Sequence, residues 1–527
     1  MADIKNDNLS KWTKWTSLIV VVIGTFMAIL DSSIVNVAIP KLISVFSSTV
    51  DQSRWIITAY SLTMGAVIPL TGYLCHNFGT KKVYIFAMAL FTVGSMLCGI
   101  AWSTQSMIFF RVIQGVGGGL IMPVSMAIIY DIVDQSEIGM ALGLWGIAAM
   151  AAPAIGPTLS GYIIQYLDWR LIYTINIPIG VVGVLLSLIL LKEKEKTPER
   201  TFDYLGFITS TIGIVLCLYV LGEGATNLKE FKNILMLVIG FFSLLLFTVN
   251  ELTHPHPLLN LRLLKIPIFS LSIIISSVLS MALFGFVFIF PLYLQNLRGY
   301  TPMQTGMIML PSAIVTALTM PISGVLLDKF GPKPLMVPSL ILLTGATFEM
   351  ARITPETSIT WIIILTVIRG LALGFCMMPA TTTGMKHVPQ EQVAGASALS
   401  NTIRQISAAI SITFLTSILQ RQQELQYYAN VEHMSQFQPA VTGWISGVQG
   451  YLMAGGMQMQ DAATTAMSAL SGVVQIQVFT VAMQNTLMVT VLFSVIAIPL
   501  SWFVRGPSVA KEPETSSELL KEGEQDV

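Results

Sequence analysis

The segment Thr71-Gly-Tyr-Leu-Cys-His-Asn-Phe-Gly-Thr-Lys-Lys-Val83 returns later in the chain as Ser323-Gly-Val-Leu-Leu-Asp-Lys-Phe-Gly-Pro-Lys-Pro-Leu335. Gly, Leu, Phe, Gly and Lys recur in register over the thirteen positions, at an offset of 252 residues. A second pair, Val112–Gly115 and Val367–Gly370, recurs at an offset of 255 residues. Offsets this long indicate duplication of a unit of about six membrane spans, and secondary transporters are commonly built in this way.

The composition is that of a protein whose solvent is lipid. Of the 527 residues, 54% are hydrophobic and 11% are charged, against roughly 25% charged residues in soluble domains. The formal net charge is zero, so no basic excess indicates binding to nucleic acid. Because a span needs about 20 mostly apolar residues, we predict an all-α integral membrane protein with about fourteen spans. The predicted spans are 17–39, 52–74, 83–102, 105–129, 138–164, 171–191, 204–222, 233–251, 268–296, 303–327, 335–352, 359–382, 394–419 and 478–504.

An even number of spans places both termini on one side of the membrane. On that side the predicted loops and tails carry 17 Lys and Arg residues, against 8 on the other side, so the positive-inside rule predicts cytoplasmic termini in the cell membrane. The predicted divisions are a cytoplasmic N-terminus 1–16, a six-helix bundle 17–191, two inserted helices 204–251, a second six-helix bundle 268–504 and a disordered cytoplasmic tail 505–527. Within the second bundle, an outer loop 420–477 could be a hairpin, a helix on the membrane surface or a plain linker.

Two embedded charges are the main candidate site. Asp31 lies inside the first span, where a carboxylate is costly unless it is paired, protonated or facing water. At the helical rise per residue, Asp31 lies about 12 Å and Arg111 about 9 Å below the same membrane boundary. We therefore expect the two side chains to meet. Asp31 could bind the coupling proton while Arg111 sets its affinity, or the two could form a static ion pair between helices.

The repeated segments and the fifth span carry further candidate residues. The inner loops either anchor the chain at the membrane surface or form a latch that closes the inner gate; their residues are Gly72, Gly79, Lys81, Gly324, Asp328, Gly331 and Lys333. The fifth span is either an ordinary kinked helix or a flexing element that lines the transport path; its residues are Pro153, Gly156, Pro157 and Gly161. Arg369 and Arg404 also lie inside spans, where buried pairing and a role in transport are equally good interpretations.

Several function classes find no support in the sequence. No phosphate-binding Gly-x-x-x-x-Gly-Lys-Ser/Thr motif and no His-Glu-x-x-His motif occurs, so neither ATP hydrolysis nor zinc-dependent hydrolysis is indicated. The spacing of the four cysteines matches neither a zinc site nor a disulfide framework. We therefore predict a protein that is not an enzyme and needs no metal or cofactor.

Taken together and in order, these motifs resemble the major facilitator superfamily, and within it the fourteen-span drug:proton antiporters of the QacA/EmrB type. Asp31 stands in a segment similar to that family's first-span motif, and the repeated inner loops are similar to the superfamily's loop motif. The fourth-span motif, which the family links to proton coupling, resembles Arg111, Gln114, Gly115 and Gly119. The fifth-span motif, associated with antiporters, resembles Gly156, Pro157 and Gly161. In the first inner loop this chain departs from the family, with His76 where an acid is usual.

The resemblance implies a major facilitator fold of two six-helix bundles with two inserted helices. It also implies proton-coupled export of drugs or other small amphipathic, often cationic compounds. The expected partners are a small-molecule substrate, protons and the lipid bilayer, with a periplasmic adaptor protein if the host has an outer membrane. A dedicated exporter of one metabolite, such as a siderophore, peptide or lipid, is the alternative. An uptake carrier and a scaffold that has lost transport are less favoured, because the antiporter motif, Asp31 and Arg111 are all present.

Overall fold

The computed structural model describes residues 2–134, 137–192, 201–223, 230–389, 392–433 and 439–504. Every regular element in these ranges is helical. In chain order the helices are α1 (Ala2–Phe46), α2 (Val50–Val67), α3 (Thr71–Phe78), α4 (Thr80–Gly99), α5 (Thr104–Ile132), α6 (Ile138–Tyr166), α7 (Leu171–Thr174), α8 (Asn176–Leu190), α9 (Tyr204–Glu223), α10 (Phe231–Thr253), α11 (Pro267–Leu292), α12 (Pro302–Phe330), α13 (Lys333–Met350), α14 (Ile359–Met385), α15 (Val393–His433), α16 (Pro439–Ala454) and α17 (Met459–Trp502).

All fourteen predicted spans fall on helices, but not all of these helices meet the length and apolarity expected of a span. Within the described residues, eleven helices are long and apolar enough to cross a membrane, and the bent α6 makes twelve. The other two predicted spans coincide with α9 and α13. The apolar part of α9, Tyr204–Val220, is short, and the 18 residues of α13 include a charged residue near each end.

The predicted outer loop 420–477 is helical over most of its described residues. Helix α15 continues to His433, α16 occupies Pro439–Ala454, and α17 begins at Met459, well before the predicted span start at 478. The segment is therefore mostly helical, because its Gln-, Ala- and Met-rich composition favours helix even where it is too polar for lipid. At the other end, α1 begins at Ala2, so the predicted N-terminal segment 1–16 is also largely helical. The predicted tail 505–527 lies outside the described residues.

The two halves share a core at one face of the bundle only. We call this the N-terminal face; it is where Lys14 of α1 forms an ion pair with Asp134 after α5. One buried cluster there joins Ile129 of the first half to Met385 and Ala396 of the second half. Toward the opposite face each half has its own core, built around Ile34 and its neighbours in the first half and Phe290 and its neighbours in the second. The fold therefore closes at the N-terminal face.

The inserted helix pair packs on the outside of the first half. Helix α9 lies against both α10 and α2. The rings of Trp55 on α2 and Tyr219 on α9 stack with centroids 5.5 Å apart. At the start of α9, Asp203 accepts a hydrogen bond from the side chain of Asn250 on α10 at 2.6 Å. Helix α9 also contacts α15 of the second half, so the inserted pair lies at the side of the bundle against helices of both halves.

Candidate functional site

Asp31 lies in the apolar part of α1 and is completely buried. Its carboxylate receives hydrogen bonds from three side chains on two other helices. On α5, Arg111 donates from Nη1 to Oδ2 at 2.5 Å, and Gln114 donates to Oδ1 at 2.9 Å. Asn176 on α8 donates to Oδ1 at 2.8 Å. The similar depths predicted for Asp31 and Arg111 thus correspond to a direct ion pair between two helices.

The guanidinium of Arg111 is also held by α2. Its Nε donates to the carbonyl oxygen of Ile56 at 3.3 Å, and its Cζ lies 3.8 Å from the centroid of the Tyr60 ring. A cation over an aromatic face is attracted to it, and the attraction grows when water is excluded. Arg111 is 1% exposed, so the ion pair has little contact with solvent. Removing one partner of such a pair costs about 3–5 kcal/mol, because the other charge stays buried.

Ser95 on α4 completes the site. Gln114 donates to its hydroxyl at 2.6 Å, and Asn176 approaches the same oxygen at 3.4 Å. We define the Asp31 cluster as Asp31, Ser95, Arg111, Gln114 and Asn176. The sequence motifs assigned no role to Ser95 or to the Asn176 side chain. The one signal of Ser95 was a polar residue within an apolar stretch, which many buried serines share, whereas Asn176 stands in the segment Ile175–Gly180 that resembles the family's entry to the sixth span.

Glycines on α5 bring the cluster together. A Cβ on Gly115 would lie 3.0 Å from the carbonyl oxygen of Tyr60, and one on Gly119 would lie 2.9 Å from that of Met64, both on α2. A Cβ on Gly117 would lie 2.6 Å from the carbonyl oxygen of Ala87 on α4. The predicted fourth-span motif is therefore a close-packed face, on which small residues let helix backbones approach each other.

The predicted antiporter motif on α6 lies directly against α1 beside Asp31. Ser33 donates to the carbonyl oxygen of Pro153 at 3.1 Å, and a Cβ on Gly156 would lie 2.4 Å from the Ser33 hydroxyl. One turn further, Gly161 faces Met303 on α12, where an added Cβ would lie 3.2 Å from the Met303 Cβ. The α6 segment that holds both prolines, including Pro157, thus connects the helix of Asp31 to the second half of the protein.

The two inner-loop copies have similar turns. Gly79 and Gly331 have φ values of +88° and +79°, a backbone conformation that favours glycine. Lys81 donates to the carbonyl oxygen of Leu188 at 2.8 Å, within its own half, and Lys333 is half-buried at the start of α13. Asp328 forms a 2.6 Å ion pair with Lys386, directly after α14 and also within its own half.

The first glycine of each copy touches the other half. A Cβ on Gly72 would lie 3.3 Å from the Cα of Gly395 on α15. A Cβ on Gly324 would lie 2.1 Å from the carbonyl oxygen of Gly139 on α6. At the same face, Asn260 donates to the side chain of Gln392 at 3.0 Å. The two glycine contacts close the N-terminal face by direct approach of backbones.

Arg369 and Arg404 are the other embedded charges that the sequence predicted. Arg369 on α14 donates to the carbonyl oxygen of Ala282 on α11 at 3.0 Å and is 3% exposed. Arg404 on α15 donates to the side chain of Asn401. Among the described residues neither arginine forms an ion pair with an acid, in contrast to Arg111. Buried pairing with an acid, one of the two interpretations for these arginines, is therefore not seen in the described part of the chain.

Metal binding has no visible basis in the described part of the chain. No group of three or more His, Cys, Asp or Glu side chains there is placed to hold a metal ion. The Asp31 cluster offers one carboxylate surrounded by donors rather than by further acceptors. Such an arrangement suits exchange of a proton better than coordination of a cation.

Known proteins with similar sequences include a transporter of the MFS type, a multidrug export protein and a lincomycin resistance protein. The chain is 37% identical over 411 residues to the MFS-type transporter YhcA of Bacillus subtilis (strain 168), covering 78% of this chain and 77% of that protein. It is 31% identical over 445 residues to the multidrug export protein EmrB of Escherichia coli (strain K12), covering 84% and 86%. It is 29% identical over 405 residues to the lincomycin resistance protein LmrB of Bacillus subtilis (strain 168), covering 76% and 85%.

Solved structures with the same fold are also transporters. The proton:xylose symporter XylE superposes with a TM-score of 0.56 at 12% identity, covering 94% of this chain and 97% of that one. The human organic anion transporter MFSD10 gives a TM-score of 0.56 at 11% identity, covering 91% and 99%. Identities this low show the fold alone. The family model of the Major Facilitator Superfamily matches residues 21–412. The predicted resemblance is thereby confirmed, and the chain belongs to the Major Facilitator Superfamily, with relatives of the EmrB type.

Proposed function

We propose that this protein exports small amphipathic compounds in exchange for protons, and that Asp31 is the residue that binds and releases the coupling proton. The observation that carries the proposal is the fully buried Asp31–Arg111 ion pair in the middle of the first half. A buried acid within a membrane span marks a functional site by default. The names of the relatives EmrB and LmrB support export of drugs as the direction and type of transport.

Protonation of Asp31 removes the charge that Arg111 pairs with. The contact between α1 and α5 then loses its ionic part, and the guanidinium keeps the rings of Tyr60 and Tyr173, the Gln114 side chain and a backbone carbonyl as partners. Each protonation state of Asp31 therefore favours a different packing of α1. A ligand or proton shifts a conformational equilibrium only through such a difference between states.

The route from Asp31 to the interface between the halves is short. Helix α1 is tied to α6 by Ser33, and by Ser160, which donates to the carbonyl oxygen of Ile34 at 2.9 Å. Helix α6 in turn contacts α12 along its length, from Gly139 near one face to Gly161 near the other. A shift of α1 on proton binding thus reaches the contact that closes the N-terminal face. Packed helices with two discrete arrangements are a physical means of such coupling.

The remaining parts of the proposal concern placement and partners. The Lys and Arg bias supports a cell-membrane protein with both termini in the cytoplasm, so the N-terminal face is the inner face. Division into two six-helix bundles with an inserted pair at 204–251 follows from the repeat offset, and the repeated inner loops are proposed as the inner gate. An adaptor protein on the outside forms part of the proposal only for a host with an outer membrane.

The test is dye transport into inside-out membrane vesicles under an imposed pH gradient. We use ethidium and dansylaminoundecanoic acid, one cationic and one anionic amphipath. Accumulation of at least one dye that starts with the gradient and stops when an ionophore collapses it supports the proposal. Accumulation that is equal with and without the pH gradient contradicts proton coupling. Transport of neither dye, with transport of a single metabolite class instead, favours the dedicated exporter.

A further inference from the structure

The second half contains a buried cation that the proton-coupling mechanism does not use. Arg369 lies in the middle of α14, with its Cζ 3.7 Å from the centroid of the Phe286 ring on α11. One guanidinium nitrogen, Nη2, donates to the carbonyl oxygen of Ala282, while the buried Nε has no hydrogen-bond partner. An arginine keeps its charge in any protein environment, so this site holds a positive charge with an unused donor.

Arg369 occupies the place in the second half that Gln114 occupies in the first. The two residues are related by the 255-residue offset of the repeat, and each precedes a glycine that packs against the second helix of its half. The 252-residue offset of the nearer repeat relates Asp31 to Leu283, and Phe286 lies about one turn further along the same helix. Gln114 contacts Asp31, and Arg369 contacts Phe286. The duplication has therefore placed a neutralised acid site in one half and a cation without an acid in the other.

No acid in the described part of the second half compensates this charge. The acidic side chains described there lie at helix ends, in a loop or in the outer extension of α15, and they are Asp328, Glu349, Glu356, Glu424 and Asp461. Arg404, on α15, adds a second embedded cation without an acidic partner among the described residues. A buried charge without a partner is costly, and its retention in a span indicates a function.

The surroundings of Arg369 suit the apolar part of an amphipath. The rings of Phe286 and Phe290 stack with centroids 4.9 Å apart, and those of Phe290 and Tyr293 follow at 6.2 Å. This row of aromatic rings runs along α11 from the guanidinium toward the opposite face. At its end the helix continues as a π-helical turn, Tyr293–Leu297, an irregularity that is frequent at functional sites.

We propose that Arg369 binds the anionic group of the exported compound, so that amphipaths carrying a carboxylate are preferred as substrates. A guanidinium matches the two oxygens of a carboxylate in a charge-assisted, two-pronged hydrogen bond. The inference rests on the proposed export function and changes its expected substrate class, because the family resemblance implied compounds that are often cationic. Phe286, Phe290 and Tyr293 belong to the buried core of the second half, so the row receives the apolar body of the substrate only when helices of that half move apart during the transport cycle.

The experiment compares two probes that differ only in charge, dansylaminoundecanoic acid and its primary amide. Binding is measured by dansyl fluorescence with the full-length protein in lipid nanodiscs, with empty nanodiscs subtracted. At neutral pH a carboxylic acid is ionised. The wild-type protein binds the acid about tenfold more tightly than the amide. Arg369→Gln abolishes this preference and leaves the affinity for the amide unchanged. Arg369→Lys keeps part of the preference, because lysine retains the positive charge but lacks the planar pair of N–H donors of a guanidinium.

The matched control is Arg352→Gln, at the outer end of α13, where Arg352 pairs with the exposed Glu349. This variant keeps the preference of the wild-type protein. Equal or weaker binding of the acid by the wild-type protein overturns the proposal, and so does a preference that survives Arg369→Gln. An equal loss of affinity for both probes in Arg369→Gln also overturns the proposal, since that result would mean that Arg369 has a purely structural role. No pH gradient is applied, so failure here is distinct from failure of proton coupling.

Discussion

The backbones of Gly324 and Gly139 touch across the interface between the two halves. A Cβ on Gly324 would lie 2.1 Å from the carbonyl oxygen of Gly139 and 2.4 Å from its carbonyl carbon. Real Cβ atoms do not approach backbone atoms so closely, and neither helix can yield at one point without moving as a whole. The closed N-terminal face therefore depends on the absence of a side chain at position 324.

Gly324→Ala is expected to prevent this face from closing. Ser397 is fully buried beside the interface, where it donates to the carbonyl oxygen of Pro123 at 3.3 Å. A thiol introduced by Ser397→Cys is therefore expected to react slowly with a maleimide. Adding Gly324→Ala raises the rate of this reaction about tenfold or more. A tenfold increase corresponds to a change of about 1.4 kcal/mol in the free energy of opening of the N-terminal face. Labelling kinetics followed by mass spectrometry measure the rate.

Gly395→Ala is the matched control for Gly324→Ala. Gly395 lies at the same interface, but a Cβ added to it would meet no atom within 4 Å. We expect its labelling rate to equal that of the parent carrying only Ser397→Cys. Equal rates for Gly324→Ala and Gly395→Ala would contradict the role assigned to the contact between Gly324 and Gly139.

Gly117→Ala is expected to destabilise the first half without touching the Asp31 cluster. The added Cβ would lie 2.6 Å from the carbonyl oxygen of Ala87 and 2.6 Å from the amide nitrogen of Phe91. Overpacking of this kind costs about 1–3 kcal/mol. The effect is measured as the midpoint temperature at which the purified protein loses its monodisperse peak on heating. Gly345→Ala on α13 is the control, because its added Cβ would meet no atom within 4 Å, and it leaves the midpoint temperature of unfolding unchanged or raises it. An equal fall of the midpoint temperature in both variants would contradict the assigned role of Gly117 in helix packing.

The main site could be predicted in part from the sequence. Helical rise and the membrane boundary placed Asp31 and Arg111 at one depth, and the ion pair follows from the cost of leaving either charge alone. Gln114 was found through its place in the repeated segment. Asn176 and Ser95 could not be assigned because their roles depend on how α8 and α4 rotate about their axes. A single sequence carries little information on such rotations when helices are apolar on all sides.

The fold was predictable at the level of helices and less so at their ends. Hydropathy placed all fourteen predicted spans on helices, and eleven of these, or twelve with the bent α6, are long and apolar enough to cross a membrane. It could not show that α15 continues beyond its predicted span to His433 or that α17 begins as early as Met459, since a helix outside the membrane needs no apolar run. The sequence offered a latch between the halves that includes Gly324, but its contact with Gly139 could not be predicted, because Gly139 lies in the other half and outside the repeated segments.

Asn176→Leu is expected to slow gradient-driven transport while the Asp31–Arg111 pair remains. The variant removes one of the two donors to Oδ1 of Asp31. Hydrogen bonds to charged groups contribute about 1.5–3 kcal/mol, so we expect a rate lower by about tenfold or more. Initial rates of dye uptake into inside-out vesicles, normalised to the amount of protein, provide the measurement. Asn485→Leu changes an exposed asparagine that bonds only to Gln422 in the described structure, and serves as the control. An unchanged rate in Asn176→Leu would remove Asn176 from the site.

The central claim is that Asp31 carries the proton that moves against the substrate. The most direct measurement follows protons with a pH-sensitive dye inside proteoliposomes while ethidium or dansylaminoundecanoic acid is added outside. The wild-type protein moves protons in the direction opposite to the transported compound. Asp31→Asn moves no protons, yet it still exchanges labelled for unlabelled compound across the membrane without a gradient. A second variant, Asp31→Asn with Arg111→Gln, removes both charges, so that no unpaired Arg111 can impair folding. It is expected to give the same result. Proton movement of wild-type size in a folded Asp31→Asn protein would contradict the claim.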